Sequence, residues 1–171
     1  MKKYELTEET VKVSEITLYR IRAVRDFGSV KTGDLGGYIE KEENLSHFGD
    51  AWVSGNGKVS GNAWIFGNGK VSGNGKVFGN AEVSGNAWIF GNAKVSNTRH
   101  YFVQGPIGSR DGFVTFYRTK DNTVEVKCGC FSGSLQEFVN QVEKTHGGSR
   151  YEKEYKLAVE LAKVCIHLEG E

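Results

Sequence analysis

Cys128 and Cys130, separated by one glycine, are the first side chains in this 171-residue chain that could do chemistry. With His146, and with Cys165 or His167 further on, they supply the thiolate and imidazole ligands that tetrahedral zinc takes. The C-x-C spacing departs from the C-x-x-C of common zinc knuckles, and on one strand both thiols would point to the same side and fit a core. No metal and no cofactor is therefore expected, and Cys128, Cys130 and His146 stand as the metal candidates. A Cys–His nucleophile pair would lack a third group to orient its base.

Anion binding is the other chemistry. The run CGCFSGS (Cys128 to Ser134) leads from a strand into a helix start. Gly129 and Gly133 leave backbone N–H groups uncovered there, and the helix adds the positive end of its dipole. The run GPIGSR (Gly105 to Arg110) is a second Gly-rich turn, ending in a guanidinium suited to phosphate. The expected ligand-binding set is Gly108, Ser109, Arg110, Gly133, Ser134, His146, Tyr151 and Tyr155, with a tyrosine as stacking surface for a nucleotide-like ligand. Neither turn matches the phosphate loop of NTPases or the dinucleotide fingerprint, so NTP hydrolysis is not indicated. The plainer alternative is two ordinary turns and a solvated Arg110.

The elements that must position these residues follow from composition and period. Lys plus Arg is 22 and Asp plus Glu 21, a net charge of +1, which argues against a general or sequence-specific nucleic-acid binder. Gly is 23 against a single Pro, without the triplet period of collagen. No apolar run is long enough for a membrane span, and MKKYELTEET lacks the apolar core of a secretory signal. Three cysteines, an odd number, suit reduced thiols and a cytoplasmic location.

From Asp50 the chain reads DAWVSG, NGKVSG, NAWIFG, NGKVSG, NGKVFG, NAEVSG, NAWIFG, NAKVSN, with NLSHFG (Asn44 to Gly49) fitting the frame loosely. Val or Ile holds the fourth place and Ala or Gly the second, so both point inward on an extended chain. Gly-Asn then turns a corner. Three units per turn make a triangular prism of about three coils, near 14 Å tall at the ~4.8 Å strand spacing. Eighteen-residue spacing stacks Trp52, Lys70 and Trp88 on one wall and Lys58, Lys76 and Lys94 on a second. Ser46, Trp64 and Glu82 stack on the third, with Phe48 and Phe66 beside them. Outward aromatics mark contacts, so Trp52, Trp64, Phe66, Trp88 and Phe90 are expected to form an interface between copies. The lysine wall reads as a solvated face or as an anion site.

Residues 1–43 read as a β cap on the open first coil, through the alternation in Val11–Val13 and Ile16–Val24. Residues 98–171 read as a small α+β module. Strands are expected at His100–Val103, Gly112–Thr119 and Thr123–Gly129, then helices opening on capping boxes at Ser134–Glu137 and Ser149–Glu152. So small a core is expected to pack on the aromatic walls or on another subunit.

The hexapeptides resemble those of left-handed parallel β-helix proteins, and the left hand is implied by that resemblance. Many such prisms are acyltransferases, but those use a His base and a loop ejected from a coil, and units 50–97 contain neither. Over nearly its full length the chain also resembles a class of small proteins encoded by phages and prophages. That likeness rests on DFGSVKTGDLGGYIEKEENLSHFGDAWV (Asp26 to Val53), the hexapeptides, GPIGSR, KCGCFSGSLQEF and KTHG. It implies little about activity; with the two Gly-rich turns it leads to the expectation of a non-catalytic accessory protein of the bacterial cytoplasm, acting in counter-defence or host takeover. The partner would be a host defence protein or a sequestered nucleotide-like anion. A hexapeptide-type acyltransferase and a structural or assembly protein are the alternatives.

Overall fold

The computed structural model describes residues 1–169. It is a mainly β fold: a parallel β-solenoid of about three turns, of the left-handed β-helix type, between a β N-terminal region and a C-terminal α+β module. Each hexapeptide from Asp50 to Asn97 contributes one two-residue strand, β4 (Trp52–Val53) to β11 (Lys94–Val95). Parallel pairing at eighteen-residue offsets builds three walls. Val53, Val71 and Ile89 share the first (β4, β7 Lys70–Val71, β10 Trp88–Ile89). The lysine ladder Lys58, Lys76, Lys94 forms the second (β5 Lys58–Val59, β8 Lys76–Val77, β11). In the third, β6 (Trp64–Ile65) pairs with β9 (Glu82–Val83), but Leu45 bridges to Ile65 at a twenty-residue offset. NLSHFG is thus slipped by two: Leu45, not His47, takes the inward place, and Ser46 does not pair with Trp64 as its frame predicts. The inward aliphatics are fully buried. At the corners, asparagine side chains bond up the stack, Asn62 Nδ2 to Asn80 Oδ1 and Asn68 Nδ2 to Asn86 Oδ1, both at 3.2 Å.

The N-terminal region does cap the first coil. Strands β1 (Tyr4–Val13) and β2 (Ile16–Ala23) form an antiparallel hairpin. Strand β3 (Leu35–Ile39), in a stretch whose glycines read as turns, pairs with β2 on one side and in parallel with β5 on the other. The second wall thus begins before Asn44. Gly36 and Gly37 are needed for closeness, not for turning. A Cβ on Gly36 would lie 2.5 Å from the Ile21 side chain, and one on Gly37 2.6 Å from the Gly57 carbonyl. Lys3 is buried beneath the cap, its Nζ donating to the Gly49 and Ala51 carbonyls, and Tyr4 Oη donates to the Glu42 and Leu45 carbonyls. His47 stacks on Tyr4 at 4.3 Å and its Nδ1 accepts from the Lys3 N–H, a contact with the cap, although Leu45 and not His47 holds the inward place over Ile65.

The C-terminal module is one antiparallel sheet, β12 (Tyr101–Ile107), β13 (Gly112–Arg118), β14 (Val124–Cys128) and β15 (Phe131–Ser134), followed by α1 (Leu135–His146) and α2 (Arg150–Cys165). His100 falls in a 3-10 turn before the first strand. Val114, Phe116 and Val126 face the helices, with Phe138, Val142, Ala158, Val159 and Ala162. The other face of the sheet meets the solenoid. Tyr117 joins the prism core, Thr119 bridges to Ala93, and Arg118 Nε donates to the Lys94 carbonyl. On α2 the second apolar stripe stays uncovered: Leu157, Leu161 and Val164 are exposed.

Two outcomes follow. Gly49 and Gly85 are both corner glycines in the left-handed region, φ +67° and +63°, but a Cβ on Gly49 would lie 2.5 Å from the Gly67 carbonyl oxygen whereas one on Gly85 meets nothing within 4 Å. Gly85→Ala should cost about 1 kcal/mol, the price of the backbone conformation alone. Gly49→Ala should cost clearly more, as read from chemical denaturation of both. Second, the His100 ring is buried beside Arg118, its Nδ1 accepts from the Ser96 N–H, and burial first, then Arg118, hold its pKa down at about 4. The unfolded chain therefore takes up a proton that the folded one refuses. The His100 contribution should be level above pH 6.5 and fall as pH drops from there toward 4, and His100→Gln should flatten that part of the profile.

Candidate functional site

The wall carrying Trp52, Lys70 and Trp88 is not open to solvent. The loop after β2 folds over its upper end, where Phe27 packs edge-on to Trp52 at 5.3 Å. The C-terminal sheet covers its lower end, where Thr115 of β13 accepts a hydrogen bond from the Trp88 N–H at 2.9 Å. Between these two anchors lies a cleft of about 940 Å³, within the size range of small-molecule sites. Its floor is the solenoid wall and its roof is formed by β13, β14 and α1. Gly28, Ser29 and Val30 lie at the upper end and Ser109 and Arg110 on the module side.

The cleft carries an excess of positive charge. Lys70, Arg110 and Lys127 line it against one carboxylate, Asp50, and none of the three cations makes an ion pair among the described residues. Lys127 lies deep, only 7% exposed, with its Nζ 4.5 Å from the ring centres of both Trp88 and Phe90. Lys70 also reaches the Trp88 ring, at 5.5 Å. Trp88 is held in place by its Nε1, which donates to Ser72 Oγ at 2.7 Å. Such cation–aromatic contacts stabilise by about 0.5–2 kcal/mol each and still leave the ammonium hydrogens free to donate.

Half of the sequence-expected ligand set converges here. Ser109, Arg110, His146 and Tyr155 line the cleft. The His146 ring stacks on Tyr155 at 5.8 Å. Burial, and then the neighbouring Cys128, push the Tyr155 hydroxyl up to about 12, so it stays protonated and acts as a donor. Gly108, Gly133, Ser134 and Tyr151 do not line it. The Gly108 N–H already donates to Glu154 Oε2 at 2.7 Å, and Tyr155 Oη lies where a Cβ of Gly108 would be, so this glycine serves a close approach. Gly133 and Ser134 belong to a fourth strand, which pairs Val126 with Gly133. The capping box puts the Glu137 carboxylate on the Ser134 N–H at 2.8 Å, so the helix start already holds an anion of its own. Tyr151 meets His146 edge-on outside the cleft. At the second expected box, Glu152 accepts from Gly148 and the Ser149 hydroxyl donates to the His146 carbonyl.

The cysteines are parted by a hairpin turn, not aligned on one strand. Cys128 ends β14 opposite Phe131, while Gly129, at φ +57°, and Cys130 make the turn. Burial raises the Cys128 thiol. A thiol held protonated is a poor zinc ligand and a poor nucleophile. No group of three or more His, Cys, Asp or Glu side chains gathers into a metal site among the described residues.

The aromatics expected to join copies have a different use. Trp52, 7% exposed, is buried within the chain, and Trp88 and Phe90 lie under Lys127. Of the five, Trp64, 41% exposed, stands on an open wall, stacked on Phe66 at 4.1 Å. The eighteen-residue stack put Trp52, Lys70 and Trp88 in one column. No local signal marks what roofs this column, and the sequence around Lys127, Thr115 and Phe113 carries nothing that sets them apart. No helix among the described residues is long and apolar enough to cross a membrane. A scan against protein-family models finds no match, and a search of curated proteins finds none either.

Proposed function

We propose that this chain is a non-catalytic binding protein that takes a small anionic ligand bearing a planar ring, such as a nucleotide, into the cleft between the solenoid wall and the C-terminal module. The supporting observation is one cavity in which Lys70, Arg110 and Lys127 face a single carboxylate over an aromatic floor. Cations select the anion, and Phe113 and Tyr155 on the module side offer aromatic surface to a base. The likeness to phage-encoded proteins makes sequestration of a host nucleotide signal in the bacterial cytoplasm the biological reading, in counter-defence or host takeover. A thermal-shift screen with cyclic and linear nucleotides and acetyl-CoA tests it. A saturable rise in Tm that Arg110→Ala lowers by about tenfold in affinity is expected. No shift with any nucleotide, or turnover of acetyl-CoA, overturns it.

Self-association belongs to the same reading, now through the third wall. Trp64, stacked on Phe66, is an aromatic surface on the third wall that the chain itself leaves exposed. The native mass at micromolar concentration should be a multiple of 18.9 kDa, and Trp64→Ser should return it to the monomer. A monomeric wild type removes the interface.

A further inference from the structure

Lys127 is the least exposed of the three cleft cations, its stem buried and its residue lining the cavity. Its backbone is fixed in the middle of β14, paired with Thr115 on one side and Ser132 on the other, so its side chain is delivered to the solenoid face of the sheet. Among the described residues its Nζ has neither a hydrogen-bond acceptor nor a carboxylate, and only the π faces of Trp88 and Phe90 oppose it. An ammonium that lines a cavity with no anionic partner is open to an incoming anion, since two aromatic faces balance only part of its charge. Packing of this sheet against the solenoid does not call for the charge: a methionine on β14 would fill the same space. Around it stand a second unpaired cation, Lys70, on the same tryptophan, and the hydroxyl oxygens of Ser72 and Thr115.

We propose that Lys127, with Lys70, is a prebuilt subsite for a phosphoryl group, and that the bound oxyanion supplies the counter-charge the folded chain lacks. This deepens the cleft reading. It assigns the phosphoryl group to the buried floor beside Trp88 and leaves the exposed Arg110 at the rim for a second anionic or polar part of the ligand. Two ammonium groups meeting one ligand group favour a dianion over a carboxylate. Lysine serves here as a point charge that can donate in three directions.

The test uses the full chain with inorganic phosphate and pyrophosphate as probes, titrated by calorimetry and by thermal shift. Wild type should bind pyrophosphate saturably. Lys127→Met should lose at least about tenfold in affinity, while the unliganded variant unfolds cooperatively at or above the wild-type Tm. Lys127→Arg should keep part of the binding, and Lys127→Gln serves if the methionine variant does not fold. Equal pyrophosphate affinity in wild type and in the folded Lys127 variants overturns the assignment, as does a wild type that binds neither probe. The outcomes also separate the two readings. Pyrophosphate binding that depends on Lys127 with no nucleotide bound sustains the subsite and sinks the nucleotide. A nucleotide bound equally well without Lys127 does the reverse.

Discussion

The stacking of one strand on the strand eighteen residues earlier is the constraint on which the rest depends. Each rung has only two residues in regular pairing, too few to stand alone, so a wall exists only because its neighbours above and below complete its hydrogen bonds. The corner glycines and asparagines let the chain turn without spending an inward position. What the repeat cannot do is close itself. The first and last coils present open backbone and an open core, and both flanking regions are shaped by that exposure. The hairpin of β1 and β2 lays Tyr4 and Ile21 over one end, and β13 lays Tyr117 over the other.

That division accounts for the cleft. The C-terminal sheet is anchored at the last coil and has a helix layer on its far side, so its near face must lie along a solenoid wall. It meets the wall closely at Thr115 and Trp88 and diverges from it toward the first coil, where the loop at Phe27 takes over the covering of Trp52. The space left between the two contacts inherits whatever the repeat places on that wall. Here that is a lysine between two tryptophans, one of few arrangements in the chain that combine charge with a flat apolar surface.

The solenoid was legible because its signal repeats: eight units in one frame fix the inward valines, the lysine ladder and the tryptophan column without any tertiary information. The helices were legible almost to the residue because the Ser134 capping box marks a start by chemistry. Strand β15 was not, since Phe-Ser-Gly-Ser carries no alternation and reads as a turn; it is a strand only because β14 offers it an edge. Strand β3 was hidden for the opposite reason, its two glycines being selected by crowding against Ile21 and Gly57. The candidate site was half legible. Arg110, His146 and Tyr155 advertise themselves by type, whereas Lys127 is one lysine among many until the sheet turns it toward Trp88. The position of a rigid module on a repetitive wall is written in no local period.

The cleft is bounded above by a segment tied to the first coil and below by a module tied to the last. Its length is therefore counted in rungs. Deleting or duplicating one eighteen-residue coil would bring the two jaws together or move them apart by about 4.8 Å, one strand spacing, with neither jaw needing to change its own fold. The repeat thus works as a caliper with fixed notches, and a lineage could regauge the opening for a shorter or longer guest by unequal recombination within the hexapeptides alone.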